Sequence, residues 1–148
     1  MKDEEKTKAQ LISELAALRR SEERYRRLLD EMSDGYVVTH RDHIVFANRP
    51  IAEMLGCSVE EVIGRSWKDF FGSGLVDYID QTPMEDLPPL LTAQARRPDG
   101  GTLIVELALR PATYRGELAE FTLVRDVTER VRAEEALRQR TDQLEALR

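Results

Sequence analysis

Residues 34–64 read DGYVVTHRDHIVFANRPIAEMLGCSVEEVIG, and this stretch decides the fold. Tyr36-Val37-Val38-Thr39 is a run of β-branched and aromatic residues, which predicts a strand. Arg41-Asp42 is a turn, and His43-Ile44-Val45-Phe46-Ala47 is a second strand, so the two form a tight hairpin. Asn48 is placed to cap a helix, because its side-chain oxygen can accept a free first-turn amide. Ile51, Met54 and Leu55 follow on one helical face, which Gly56 ends. Ser58-Val59-Glu60-Glu61 is a capping box: the serine oxygen takes the N3 amide and the glutamate reaches back. Gly64 closes that second short helix.

Downstream, Trp67, Phe70 and Phe71 form an aromatic helical turn before Gly72. Thr82-Pro83-Met84-Glu85 is a further helix start, with a cap, a proline at N1 and a glutamate at N3. Asp99-Gly100-Gly101 turns the chain into a strand over 102–110. One face of that strand is Leu103, Val105, Leu107 and Leu109; the other is Thr102, Ile104, Glu106, Ala108 and Arg110. An apolar face opposite a mixed one is the mark of an antiparallel sheet covered on one side. Tyr114-Arg115-Gly116-Glu117 is another turn, and Leu118 to Asp126 is the last strand. The order is strand, strand, short helices, strand, strand. That is an α+β pattern, not βαβ winding.

The flanks differ in kind. All eight glycines and all six prolines fall within 35–128. Residues 3–33 have neither, and are rich in Glu, Lys, Arg, Ala and Leu, all strong helix formers. Leu11, Leu15, Leu18, Tyr25, Leu29 and Met32, with Glu22 filling one gap, step by 4-3-4-3-4-3, a heptad seam. Each leucine buried against a partner helix contributes about 1.5–3 kcal/mol. The seam therefore predicts a homodimer; the alternative is a lone helix packed on the domain. Gly35 is read as a left-handed stop to this helix. Residues 129–148 are helical again, with Ala133, Leu137, Leu144 and Leu147 as a weaker seam that Arg140 interrupts. The chain divides into an entering helix (1–33), a domain (34–128) and an exit helix (129–148). It stops in mid-helix on Arg148, so a longer protein with an output domain beyond this point is expected.

Composition narrows the functional classes. Apolar residues make up 41%, ordinary for a globular domain, and no apolar run approaches the ~20 residues of a membrane span. The N-terminus, MKDEEKTKAQ, is charged and lacks the apolar core of a secretory signal. Cys57 is the only cysteine, which rules out an internal disulfide and fits a reducing cytoplasm. With only two histidines, His40 and His43, ligands for a structural zinc site are too few. A net charge of −6 does not favour nucleic acid or anionic lipid as partners.

Four phrases, in this order, resemble the PAS family: Ser33-Asp34-Gly35-Tyr36-Val37-Val38 leading to Ile44-Val45-Phe46-Ala47-Asn48; Met54 to Arg65; Arg97-Pro98-Asp99-Gly100-Gly101; and Val124-Arg125-Asp126-Val127-Thr128-Glu129-Arg130. Residues 21–29, SEERYRRLL, look like the helix that commonly enters such domains. The resemblance covers residues 21 to 138 and implies a five-stranded antiparallel sheet with short helices on one face, flanked by coiled-coil helices. It also implies a concave side that holds a small ligand or is simply packed, in a module placed upstream of a histidine kinase, a cyclic-nucleotide enzyme or another copy. The hairpin Thr39–His43 is one residue shorter than the family's usual form.

The candidate lining of the pocket or core is Phe46, Trp67, Phe70, Phe71, Tyr78, Val105, Leu107 and Phe121. Asp126 and Thr128 resemble the junction that couples such domains to an output helix; Asp126 can cap the helix start, with Glu129 three residues on. Haem and covalent flavin are not expected. Residues 73–95 have no histidine, and the flavin-binding cysteine phrase of the light-sensing members is missing, Cys57 lying in a loop instead. Residues 129–148 have no phospho-accepting histidine, and Gly72-Ser73-Gly74, read as a helix stop and loop, fails as a phosphate loop. The carboxylates Glu60, Glu61, Asp69 and Asp77 form no acid–base pair. The chain is therefore expected to be a sensory, non-enzymatic module that relays a ligand- or partner-induced change to its exit helix. The alternative is a ligand-free dimerisation spacer with a filled core.

Overall fold

The computed structural model describes residues 7–31 and 33–147, with the side chains of Arg26, Leu29 and Asp30 left out. The seam positions Met32 and, for its side chain, Leu29 thus lie outside the described residues. Helix α1 (Lys8–Glu31) leads into strands β1 (Gly35–His40) and β2 (His43–Ala47). Short helices α2 (Arg49–Leu55) and α3 (Val59–Val62), a 3-10 turn over Trp67–Phe70, helix α4 (Ser73–Gln81) and a second 3-10 turn over Met84–Asp86 follow. Strands β3 (Leu91–Arg96), β4 (Thr102–Tyr114) and β5 (Glu117–Asp126) complete the sheet, and α5 (Thr128–Ala146) leaves it. All five strands join in one antiparallel sheet in the order β2-β1-β5-β4-β3.

Local chemistry explains most boundaries. Arg41 and Asp42 both take positive φ (51° and 68°), so the β1–β2 connection is a two-residue turn whose twist suits a hairpin. Arg115 and Gly116 (φ 50° and 77°) do the same between β4 and β5. Asn48 accepts the Ile51 amide at 3.3 Å and the Tyr36 amide at 2.8 Å, and donates to the Asp34 carbonyl at 3.1 Å. One buried side chain thereby caps α2 and fastens it to the start of β1. Ser58 Oγ accepts the Glu61 amide at 3.2 Å, as a capping box requires.

Four local expectations need correction. Gly35 is not a left-handed stop but the first residue of β1, paired with Val124. A Cβ there would stand 2.9 Å from Ile51 Cδ1 and 3.2 Å from Ile51 Cα, so glycine is required by the close crossing of α2. Thr82 does not cap the following turn; its hydroxyl donates to the Tyr78 carbonyl at 2.5 Å and finishes α4. Gly72 is no helix stop, because it stands at the N-cap of α4. Strand β3, implied by the resemblance, escapes a residue-by-residue reading because two of its three inward residues are alanines with little strand preference.

The core lies between the sheet and the short helices. Val37, Ile44, Ile51, Leu55, Val62, Phe70, Leu103, Val105, Leu107 and Val124 are all buried in it. Along α1, by contrast, Leu11, Leu15, Leu18 and Tyr25 are 52–64% exposed. Leu137 and Leu144 on α5 are exposed as well. No described helix is long and apolar enough to cross a membrane.

Candidate functional site

Strand alternation sets what the concave face presents. Val37 and Thr39 of β1, Glu120, Thr122 and Val124 of β5, and Leu103, Val105, Leu107 and Leu109 of β4 point to the helical side. Opposite them stand Ile51, Met54 and Leu55 of α2 and the aromatic trio Trp67, Phe70 and Phe71. Between these walls is a cavity of about 60 Å³.

The segment that closes this cavity is stitched to both edges of the sheet. The Ile44 amide donates to the Arg65 carbonyl at 2.8 Å, and the Gly64 amide to the Ile44 carbonyl at 2.7 Å. At the far edge Phe71 bridges Ala95, and Arg96 donates to the Phe71 carbonyl at 2.9 Å. Lys68 Nζ lies 3.1 Å from Asp42 and 3.0 Å from Asp80, tying the hairpin turn to α4. These two hydrogen bonds hold the lysine's pKa above its ordinary value, and the Lys68 bond holds the Asp42 carboxyl below the usual range. Trp67 Nε1 also donates to Asp42, at 3.3 Å.

Glu120 is the ionisable member of the cavity wall. Burial raises its pKa, and Asp42 and Asp80 raise it further by repulsion. The same residue, with Thr39 and Leu109, also lines a surface groove shared with Arg41, Asp42, Met84, Leu87 and Pro88. Glu120 thus belongs to the wall of the interior and to the surface groove alike.

The second feature is the start of α5. Thr128 Oγ1 accepts the Ile104 amide at 2.9 Å and donates to Asp126 Oδ1 at 2.5 Å. Asp126 Oδ1 also accepts the Thr128 amide at 3.0 Å, and the Val127 amide donates to the Ile104 carbonyl at 2.9 Å. Arg130 pairs with Glu106 at 3.1 Å and Arg125 with Asp34 at 3.1 Å. The helix start is thus clamped to the backbone of one β4 residue. That residue, Ile104, stands between Leu103 and Val105, both of which line the cavity.

Trp67, Phe70, Phe71, Val105 and Leu107 therefore come together around the cavity. Phe46, Phe121 and Tyr78 do not, and these three placements are corrections. The pairing of β1 with β2 shifts between Val38–Phe46 and Thr39–Ile44, leaving Val45 as an extra residue. That bulge turns Ile44 and Ala47 inward together and sends Phe46 out. Phe121 pairs with Val38 and Arg110, in the outward phase of β5. On that outer face the Tyr36 ring meets Phe46 at 5.3 Å and Phe121 at 4.2 Å, both edge-on. Tyr78 is on the exposed side of α4, beside β3.

Asp126 bonds to Thr128 rather than to an N3 amide, so the cap at α5 is one residue tighter than a capping box; no hydrogen bond from Glu129 closes it among the described residues. The His40 ring bonds Glu117 at 2.7 Å and lies against Tyr114. Cys57 is half-buried, and burial followed by Glu61 raises its thiol pKa, which opposes thiolate chemistry. Among the described residues no cluster of His, Cys, Asp and Glu is arranged to hold a metal ion. Sequence reading missed Glu120, whose only signal is that it shares the inward phase of Thr122 and Val124. It also missed Ile104, which acts through its backbone and so leaves no trace in its side chain.

Known proteins fall in line with this geometry. The chain is 29% identical over 141 residues to the methyl sulfide methyltransferase-associated sensor of Methanosarcina acetivorans, a match over 88% of this chain that spans only 14% of that sensor. Among solved structures it resembles the PAS domain of an HTR-like protein from Haloarcula marismortui, with 24% identity, a TM-score of 0.65, and coverage of 77% of this chain and 98% of that one. The PAS domain of a LuxR-family transcriptional regulator from Burkholderia thailandensis, solved in complex with ethanol, matches with 16% identity, a TM-score of 0.59, and coverage of 70% and 96%. A PAS domain family model matches residues 33–129. With most of its length under that match and this sheet beneath it, the chain belongs to the PAS domain family, the sensor domain of signalling proteins.

Proposed function

We propose that this PAS domain is a non-enzymatic relay that converts occupancy of its inner cavity into a change at the start of α5. The observation that carries this reading is the adjacency on β4. Leu103 and Val105 line the cavity, and Ile104 between them holds Thr128 and Val127. A guest that pushes on β4 must move the carbonyl and amide that anchor the helix, since strand neighbours share one backbone. The ethanol held by the Burkholderia thailandensis neighbour supports a small guest. The module acts as a cytoplasmic homodimer, with an output domain in the same polypeptide. Support for the dimer is the exposed stripe Leu11, Leu15, Leu18 and Tyr25, which a second copy of α1 would cover.

Hydrogen exchange at the amides of residues 127–131 tests the relay. Thr128→Val keeps the shape of the side chain but loses the bonds to Asp126 and Ile104. Exchange in the first turn of α5 should rise about tenfold, for a loss on the order of 1–1.5 kcal/mol. It should also no longer respond to a cavity guest. A variant whose exchange still responds to the guest would refute the relay. For the dimer, sedimentation of wild type against Leu15→Glu decides: a wild-type chain that stays monomeric at high concentration removes that part.

The small size of the cavity favours a second reading, a dimerisation spacer with a filled core. Native mass spectrometry and guest titration separate the two, because a spacer takes up nothing.

A further inference from the structure

Of the residues that line the cavity, Glu120 alone carries an ionisable group among the described residues. Its cross-strand neighbours are Thr39 on β1 and Pro111 on β4; a proline has no amide to donate. Among the described residues the Glu120 carboxyl has no hydrogen bond and no ion pair. The cations around this part of the wall are already engaged. Lys68 is shared by Asp42 and Asp80, Arg41 holds Glu117, and Arg110 donates to the Leu109 carbonyl. The charged groups that act on Glu120 are the acids Asp42 and Asp80. A half-buried carboxyl against apolar walls, unpaired and facing two further acids, is a position that a cation would stabilise.

We propose that this cavity selects a small molecule with a short apolar body and one protonated amine, the body seated against Phe70, Val105 and Leu107 and the ammonium on Glu120 beside Thr39. The inference rests on reading the cavity as a ligand site. Size limits the body. A cavity of about 150 Å³ is enough for the six carbons of benzene, and this one is about 60 Å³, so a body of about two carbons fits and a ring does not. The amine end needs no such room, because Glu120 lines the open groove as well as the cavity.

The test is a titration of the chain with ethylammonium, ethanol and acetate, followed at the methyl resonances of Ile51, Val105 and Leu107. Ethylammonium should bind about tenfold more tightly than ethanol, the gain of one charge-assisted hydrogen bond, and acetate more weakly than either. Glu120→Gln should remove the advantage of the amine over the alcohol. If ethanol or acetate matches ethylammonium, or if the variant keeps the preference, the amine assignment is overturned while the cavity remains a ligand site. If none of the three moves those methyls, the ligand-site reading itself fails and takes the inference with it. Glutamine matches the shape of glutamate and removes a charge from an apolar wall, so the variant stays folded, which its methyl spectrum checks directly.

Discussion

The two faces of the sheet are made by the same strands, yet they do different work. Facing the helices, Val37, Leu103, Val105, Leu107 and Val124 are buried to within a few per cent of full enclosure. Facing away, Tyr36 packs edge-on against both Phe46 and Phe121, and all three remain half-exposed. Size is therefore a poor guide to burial here. The largest rings of the sheet are outside, and aliphatic side chains form the inner wall. A wall of β-branched and leucine side chains leaves a small cavity, which three rings of that size would fill.

This contrast can be broken from either side. The largest effect should come from Leu107→Ala, which enlarges the cavity at a fully buried site: a loss of about 2–5 kcal/mol, read by urea unfolding. Gly35→Ala should cost about 1–3 kcal/mol, as an overpacked contact does, because the new methyl meets Ile51 where α2 crosses β1. Pairing it with Ile51→Val should recover part of the loss; no recovery would show that the crossing is not what requires glycine. Phe121→Ala on the outer face should cost less than Leu107→Ala, about 1–2 kcal/mol for a half-exposed ring with one edge-on pair. An equal or greater cost would erase the difference between the faces.

The smallest effect concerns pH. Because the folded-state pKa of Glu120 is raised, the native state holds its proton more tightly than the unfolded chain. Stability contributed by this group is thus fully present below the ordinary glutamate value of 4.5. It is lost as pH rises from there through the raised value, and stays lost above it. Glu120→Gln should remove that decline and leave the variant slightly more stable than wild type at neutral pH, which melting curves between pH 4 and 8 would check. A parallel pH dependence in both proteins would place the carboxyl in water rather than on the apolar wall.

Much of this was legible in advance, and the reasons are local. Turn residues with positive φ, the caps at Asn48 and Ser58, and the alternation from Leu103 to Leu109 are written in residues close together in the chain. Each follows from the chemistry of one or two side chains and their own backbone. The four ordered phrases carried the family, and with it the fifth strand. What failed did so where a decision came from elsewhere in the chain. The inward or outward direction of Phe46 depends on a bulge, which is a property of the pairing between two strands and not of either alone. Gly35 answers to Ile51, sixteen residues on. The surroundings of Glu120 are set by Thr39, Asp42 and Asp80, which come from other parts of the chain. Sequence by itself determined most of the elements and their order, because short-range hydrogen bonding and hydrophobic period set these, and the resemblance of its four phrases supplied the family. Only the tertiary structure decided which side chains share the cavity, and that Ile104 joins its wall to the exit helix, because both depend on register across strands far apart in the chain.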